Sequence, residues 1–211
     1  MDELVRLGLA RWPNVPDCFG WLALDGRGVW RIGQARETIT HAATIEFIHR
    51  NYTSDLNGRW LFQNGPQRVY VDLDYTPYVW RVVPMGEKWQ LVSQDRAPAA
   101  PLEGIWIDDT GQFLLLAGKK IGVLHDHDSA WFLERLCNAH GIPFTQDEAT
   151  AQIAACMEGE VGGVWIESEL SGPLRPVEPI LREDVPIRFG FDPHPKKPAE
   201  VPGDLEHPSP K

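Results

Sequence analysis

The residues best suited to chemistry fall in two short runs. The first is His125-Asp126-His127-Asp128. Alternating imidazole and carboxylate can bind a divalent ion, and in an extended segment His125 and His127 share one face. Such a segment sends His and Asp to opposite sides, so one face supplies only two ligands. A metal site built on His125, His127 and Asp128 therefore needs a carboxylate from the other half of the chain, Asp72 or Asp74. The competing reading is structural: Asp128 caps a helix starting at Ser129, Asp126 favours the positive end of that helix, and the histidines are solvated turn residues.

The second run spans Asn64 to Tyr75. Asp72 and Asp74 lie two apart on one strand face, a spacing that suits paired carboxylates in acid/base work or cation binding. A strand continuing from Val69 and Val71 buries the valines and exposes Tyr70, Asp72 and Asp74, which is also ordinary amphipathic patterning. Together with Asn64, Gln67, Arg68 and Tyr75 this face reads as a polar recognition surface for a small ligand or a protein partner. No catalytic set completes it. No Gly-x-Ser-x-Gly elbow is present, no Gly-rich phosphate loop precedes a helix, and Cys18 has no nearby His. His41 and His49 are eight residues apart and cannot chelate one ion as an i, i+4 pair does, so cap and surface roles are expected. No cofactor is called for.

The elements that must position these residues are marked by a recurring phrase, Gly one or two positions before Trp, then a turn and a second strand-like run. It occurs at Gly20-Trp21, Gly58-Arg59-Trp60, Gly104-Ile105-Trp106 and Gly163-Val164-Trp165, the last interrupted on its return by Pro173 and Pro176. The linkers Asp25–Gly28, Asn64–Pro66 and Asp108–Gly111 carry turn chemistry, so the phrases read as antiparallel hairpins. Their shared Trp is expected in the core.

The first and third copies extend into a longer pseudo-repeat, each followed by a His-containing turn and a helix-like segment, residues 38–51 and 129–140. A third helix starts at the capping box Thr145/Glu148 and ends at Gly159. Residues 80–92 suggest a further hairpin. The fold class expected is α+β, with repeated Trp-marked antiparallel β-hairpins and about three helices. The organisation expected is a first pseudo-repeat subdomain over 1–93, a Pro/Ala linker over 94–103, a second over 104–191, and a disordered Pro-rich tail over 192–211.

Composition narrows the function classes. Thirty acidic residues face 20 basic ones, a net charge of -10, which argues against neutralising a phosphate backbone, so no nucleic-acid partner is expected. The three cysteines form no Cys-x-x-Cys pair and fit reduced thiols in the cytoplasm. The N-terminus lacks a signal pattern and no apolar run is long enough to span a bilayer, so no membrane partner is expected.

The blocks Trp12–Pro16, Trp21–Asp25 and above all Phe62–Leu73 (FQNGPQRVYVDL) resemble an uncharacterised proteobacterial family of unknown function over residues 12–137. The hairpin-then-helix order resembles, more distantly, a second uncharacterised bacterial family with repeated structural motifs for which a signalling role has been suggested. These resemblances imply a bacterial, cytosolic setting and a signalling or regulatory role. The expectation is a non-enzymatic regulatory module, with a metal-dependent enzyme using the His125–Asp128 cluster as the alternative.

Overall fold

A computed structural model describes residues 1–97, 101–166, 170 and 172–198. Short alternating runs separated by tight turns make strands, and the chain arranges them in two sheets with one topology used twice. After helix α1 (Glu3–Arg11) come β1 (Cys18–Leu24), β2 (Trp30–Ile32), β3 (Glu37–Thr38), α2 (Ala42–Arg50), β4 (Tyr52–Ser54), β5 (Trp60–Asn64) and β6 (Gln67–Leu73). Their order in the sheet is β3-β2-β1-β6-β5-β4. The central pair β1/β6 is parallel and the others are antiparallel.

A hairpin, β7 (Tyr78–Met85) and β8 (Lys88–Ser93), follows. Then come β9 (Leu102–Asp108), β10 (Phe113–Ala117), β11 (Lys120–Leu124), α3 (Ser129–Leu133), β12 (Leu136–Cys137), α4 (Gln146–Met157), β13 (Trp165–Ile166), β14 (Arg175–Ile180) and α5 (Val185–Phe189). The second sheet runs β12-β13-β14-β9-β10-β11-β7-β8, with β9/β14 parallel. Read from β11 to β12, it repeats the first sheet strand for strand, with α3 in the place of α2 and α4 inserted between β12 and β13. The β7–β8 hairpin, which precedes the 94–103 segment, extends the second sheet by pairing β7 parallel to β11.

The α+β class and all four Trp-marked hairpins are present. The helix expected over 129–140 stops at Leu133, because Leu136 and Cys137 pair with Ile166 and Trp165 instead. The capping box at Thr145 and Glu148 forms as expected. Helices α1 and α5 add to the three that the sequence pattern predicts. No helix among the described residues is long and apolar enough to cross a membrane.

The duplication reaches the turns. Asp25, Asp55, Asp108 and Asn138 each use one side-chain oxygen to accept from the N–H groups two and four residues on, and each turn closes on a Gly at φ between 74 and 83°: Gly28, Gly58, Gly111 and Gly141. That backbone region is nearly free for glycine and strained for other residues. In the three aspartates the second oxygen takes an arginine, Arg31, Arg59 and Arg182 in turn.

One apolar cluster joins the two sheets. Leu22, Leu24, Val69, Val71 and Leu73 of the first meet Val79, Trp106, Leu114, Ile121 and Val123 of the second, with Ile48 of α2. Alternate residues of the second sheet, Trp80, Val82, Ile105, Ile107 and Leu115, face a second cluster under Phe132 and Cys156. Each such side chain contributes about 1.5–3 kcal/mol by leaving water. The repeated Trp does not keep one environment: Trp106 is 7% exposed but Trp21 is 50% exposed, while the fully buried indoles are Trp30 and Trp80. In β9 the Gly-x-Trp spacing has a direct cause, since a Cβ at Gly104 would lie 2.3 Å from the Trp106 ring that folds back over it.

The chain stays anchored past Asp192, where the sequence places the start of the tail. The Asp192 N–H donates to the Gly58 carbonyl, the Pro193 carbonyl accepts from Leu73, and Pro195 is buried. The rest of the expected tail, 199–211, and part of the expected linker, 98–100, lie outside the described residues.

Candidate functional site

The six residues read as one recognition face do not form one. Asn64 and Gln67 are cross-strand partners at the β5/β6 turn and line a groove of about 390 Å³ with Trp21, Ile32 and Phe47, and Arg68 is exposed beside them. Asp72 is tied to Arg36 at 3.0 Å. Tyr70, expected outward, is 1% exposed, because Phe19 stacks on it at 4.4 Å and Arg59 covers its ring at 4.6 Å. Alternation alone cannot reveal that the second face of a sheet is also covered.

Tyr75 lies beyond β6 at the seam between the sheets. Its hydroxyl donates to the wholly buried Asp108 carboxylate at 2.7 Å, and the Arg182 guanidinium stacks 3.6 Å over its ring and reaches the same oxygen at 3.3 Å. Burial, then the Asp108 hydrogen bond, pushes the Tyr75 phenol far up, so it stays protonated as donor. A crevice of about 520 Å³ opens beside this triad, rimmed by Asp74, Asp109 and Glu183. The triad is internally satisfied and acts as a clamp on the seam.

The His125–Asp128 run is not extended. His125 caps a 3-10 turn over Asp126–Asp128, its Nδ1 accepting from the His127 N–H at 3.2 Å. That turn brings one ligand atom each from His125, Asp126 and His127 within 4.8 Å of one another. Asp128, the third ligand expected, is engaged elsewhere, accepting from Arg81 Nε at 2.6 Å and the Val82 N–H at 3.0 Å. It also makes no side-chain cap on α3. His125 is buried rather than solvated, and its pKa is lowered, first by burial and then by Arg81. Asp126 is paired with Arg27 at 2.6 Å. A cation here would compete with Arg27 and face Arg81, and neither Asp72 nor Asp74 comes to it. The turn fastens the Asp25–Gly28 turn of the first sheet, through Arg27, to the end of β11.

A cavity of about 540 Å³ lies elsewhere, between α2, the β2–β3 region and the segment after β8. Its apolar wall includes Val29, Ile39, Ala42 and Ile45, and its polar groups include Glu46, His49, Asp95 and Arg96. Two residues of its lining each carry a buried polar atom with no hydrogen-bond partner among the described residues, Trp30 Nε1 and His49 Nε2. Burial lowers the His49 pKa, with Arg96 acting in the same sense and Asp95 and Glu46 opposing, so the ring is neutral near pH 7. Burial raises Asp95, but hydrogen bonds from the Ser93 hydroxyl and the Ala97 N–H, with Lys120 at 3.2 Å, hold its carboxyl below the ordinary range. Behind Trp30 runs an aromatic layer: Tyr52 meets Trp30 edge-on at 5.2 Å, and Trp60 contacts Tyr52 at 4.7 Å and Tyr78 at 5.2 Å.

The eight-residue spacing of His41 and His49 predicts cap or surface roles for both. His41 does cap α2, accepting from the Thr44 N–H. His49 departs, and the signal was present: it lies four residues after Ile45, on the apolar stripe of the helix rather than its outer face.

The chain belongs to the family described as "Protein of unknown function (DUF2946)", whose profile matches residues 1–196. The likeness seen over residues 12–137 thus extends across nearly the whole chain. No curated protein matches it. Among solved structures it is similar to a DUF1285 family protein from Silicibacter pomeroyi DSS-3, at 13% identity and a TM-score of 0.46, covering 81% of this chain and 86% of that one.

Proposed function

We propose that this protein is a non-enzymatic cytosolic regulatory module that binds a small ligand in the cavity beside α2. The observation that carries the reading is a pair of buried atoms without a partner among the described residues, Trp30 Nε1 and His49 Nε2, on two residues that line this cavity of about 540 Å³. Burying a polar group without a partner costs about 1–3 kcal/mol, and a ligand that satisfies it recovers that cost. The volume fits small-molecule sites, which combine apolar walls with a few placed polar groups. The lining sets a few polar groups, including Thr40, Glu46, His49 and Asp95, among its apolar residues. Its walls come from the first sheet, α2 and the end of β8, so occupancy acts on the seam between the units, the arrangement a ligand-biased switch needs.

A second reading, a divalent ion at His125, Asp126 and His127, rests on the convergence of their three ligand atoms. Thermal unfolding of the full chain with a metabolite library, and separately with divalent ions, tests both. A binder of the folded state raises Tm by mass action. At least one small organic compound is expected to do so, and Ala42→Trp, which places an indole across the cavity wall, is expected to abolish the rise. A response only to divalent ions that is lost in His127→Ala supports the second reading and overturns the first.

A further inference from the structure

We propose that the ligand of this cavity is a small monocarboxylic acid with an apolar body, its carboxylate held between the Trp30 indole N–H and the Arg96 guanidinium. This rests on the cavity being a ligand site at all. The indole nitrogen donates and cannot accept, so whatever pairs with Trp30 must present an acceptor. Trp30 is 1% exposed and its Nε1 has no partner.

The cations in the lining are not equivalent. Arg50 is committed to Asp2 at 3.2 Å. Arg96 has no hydrogen bond or ion pair from its side chain among the described residues, although Asp95 is its neighbour. Asp95 is already filled by Ser93, Ala97 and Lys120, so it neither neutralises Arg96 nor takes up a ligand cation. Arg96 also holds a left-handed backbone, φ 58°, closed by its N–H on the Ser93 carbonyl at 2.7 Å. That conformation is strained for a non-glycine residue. The turn thus sets a free guanidinium at the cavity, and guanidinium–carboxylate pairs are among the stronger polar contacts.

Two further features narrow the class. Glu46, also in the lining, lacks an ion-pair partner among the described residues, and it opposes a second negative charge. Phosphates and polycarboxylates are therefore disfavoured against a monoanion. Val29, Ile39 and Ile45 supply the apolar wall for the body of the acid.

The test is a titration of the full chain carrying 15N-labelled indoles, with the Trp30 Nε1–H resonance assigned by its loss in Trp30→Phe. Benzoate and hexanoate are compared with benzamide, hexanamide, citrate and inorganic phosphate. The expected result is a saturable downfield shift of the Trp30 resonance with the two acids. Arg96→Gln should weaken acid binding about tenfold or more while moving amide binding less than twofold, with an unchanged Tm to show that the variant folds. Amides binding as tightly as acids, tighter binding of citrate or phosphate, or an Arg96→Gln variant that binds acids normally would overturn the carboxylate assignment and leave the cavity as a site. Loss of every response at Trp30, with no compound in the metabolite library raising Tm, would overturn the cavity reading itself.

Discussion

The two six-stranded units share strand order, a parallel central pair and the same Asx-closed turns, yet they finish their outer edges differently. In the second, β11 is extended by the β7–β8 hairpin, and Trp89 of β8 packs edge-on against Trp131 of α3 at 5.7 Å with Arg135 stacked 3.8 Å over it. In the first, the equivalent strand β3 has two residues and no outer neighbour among the described residues, and a cavity opens between the segment that follows it, Ile39 and Thr40, and α2. Trp131 also has an unpaired buried indole nitrogen. An orphan N–H therefore does not by itself mark a site, and what distinguishes Trp30 is the open volume beside it. One scaffold has been closed into core in one copy and left concave in the other.

The largest expected effect separates the turns. Asp108 is wholly buried and serves Tyr75, Arg182, the Thr110 hydroxyl and two backbone N–H groups, so Asp108→Ala should cost about 3–5 kcal/mol in urea unfolding. Asp25→Ala removes the matching turn bonds at a more exposed position and should cost about 1–2 kcal/mol. Equal losses would mean that the seam clamp adds nothing to the turn.

Glycines at the same turn position should diverge next. A Cβ at Gly58 would lie 2.2 Å from the Gly190 carbonyl oxygen, whereas at Gly111 the nearest atom is at 3.7 Å. Both substitutions meet the left-handed backbone penalty of about 1–3 kcal/mol, but Gly58→Ala must also displace the segment docked on it. Its Tm should fall well below that of Gly111→Ala, with accelerated proteolysis after Phe189.

This duplication was only partly legible in the sequence. Asp25–Gly28 and Asp108–Gly111 announce their turns because the residue types are local requirements, and Thr145/Glu148 announces a helix start for the same reason. Asn138–Gly141 was hidden inside an apparent helix, because the strand pairing of Leu136 and Cys137 with residues 28 or more positions away overrides the helical periodicity of 129–140. Trp21 and Trp106 share a motif yet differ in exposure, which depends on what another part of the chain lays over each strand. The cavity was the least legible feature, since its walls come from residues 28–30, 39–50 and 94–96.

The indoles give a smaller contrast. Trp80 donates to the Leu115 carbonyl at 3.0 Å, whereas Trp30 donates to nothing among the described residues. Both Trp→Phe substitutions lose ring area, so the excess cost of Trp80→Phe over Trp30→Phe isolates the hydrogen bond, about 1–2 kcal/mol. Equal costs by chemical denaturation would show that Trp30 is satisfied in solution.

The smallest effect is on pH dependence. The folded pKa of His49 lies below its ordinary 6.5, so between those values the unfolded chain binds more protons. The stability due to a neutral His49 is complete above pH 6.5 and is lost as pH falls toward the folded value. His125 acts with the same sign. Unfolding free energy should decline from pH 7.5 to 5.5, and His49→Gln should flatten part of that slope. An unchanged slope would place the titration on other groups.

The most direct measurement is a crystal structure of the full chain with the compound that raises Tm most. The compound is expected in the cavity walled by α2 and Gln94–Arg96, with a polar atom within hydrogen-bond distance of Trp30 Nε1. Density for it at the His125 turn or in the Tyr75 crevice, with the α2 cavity holding only solvent, would contradict the account.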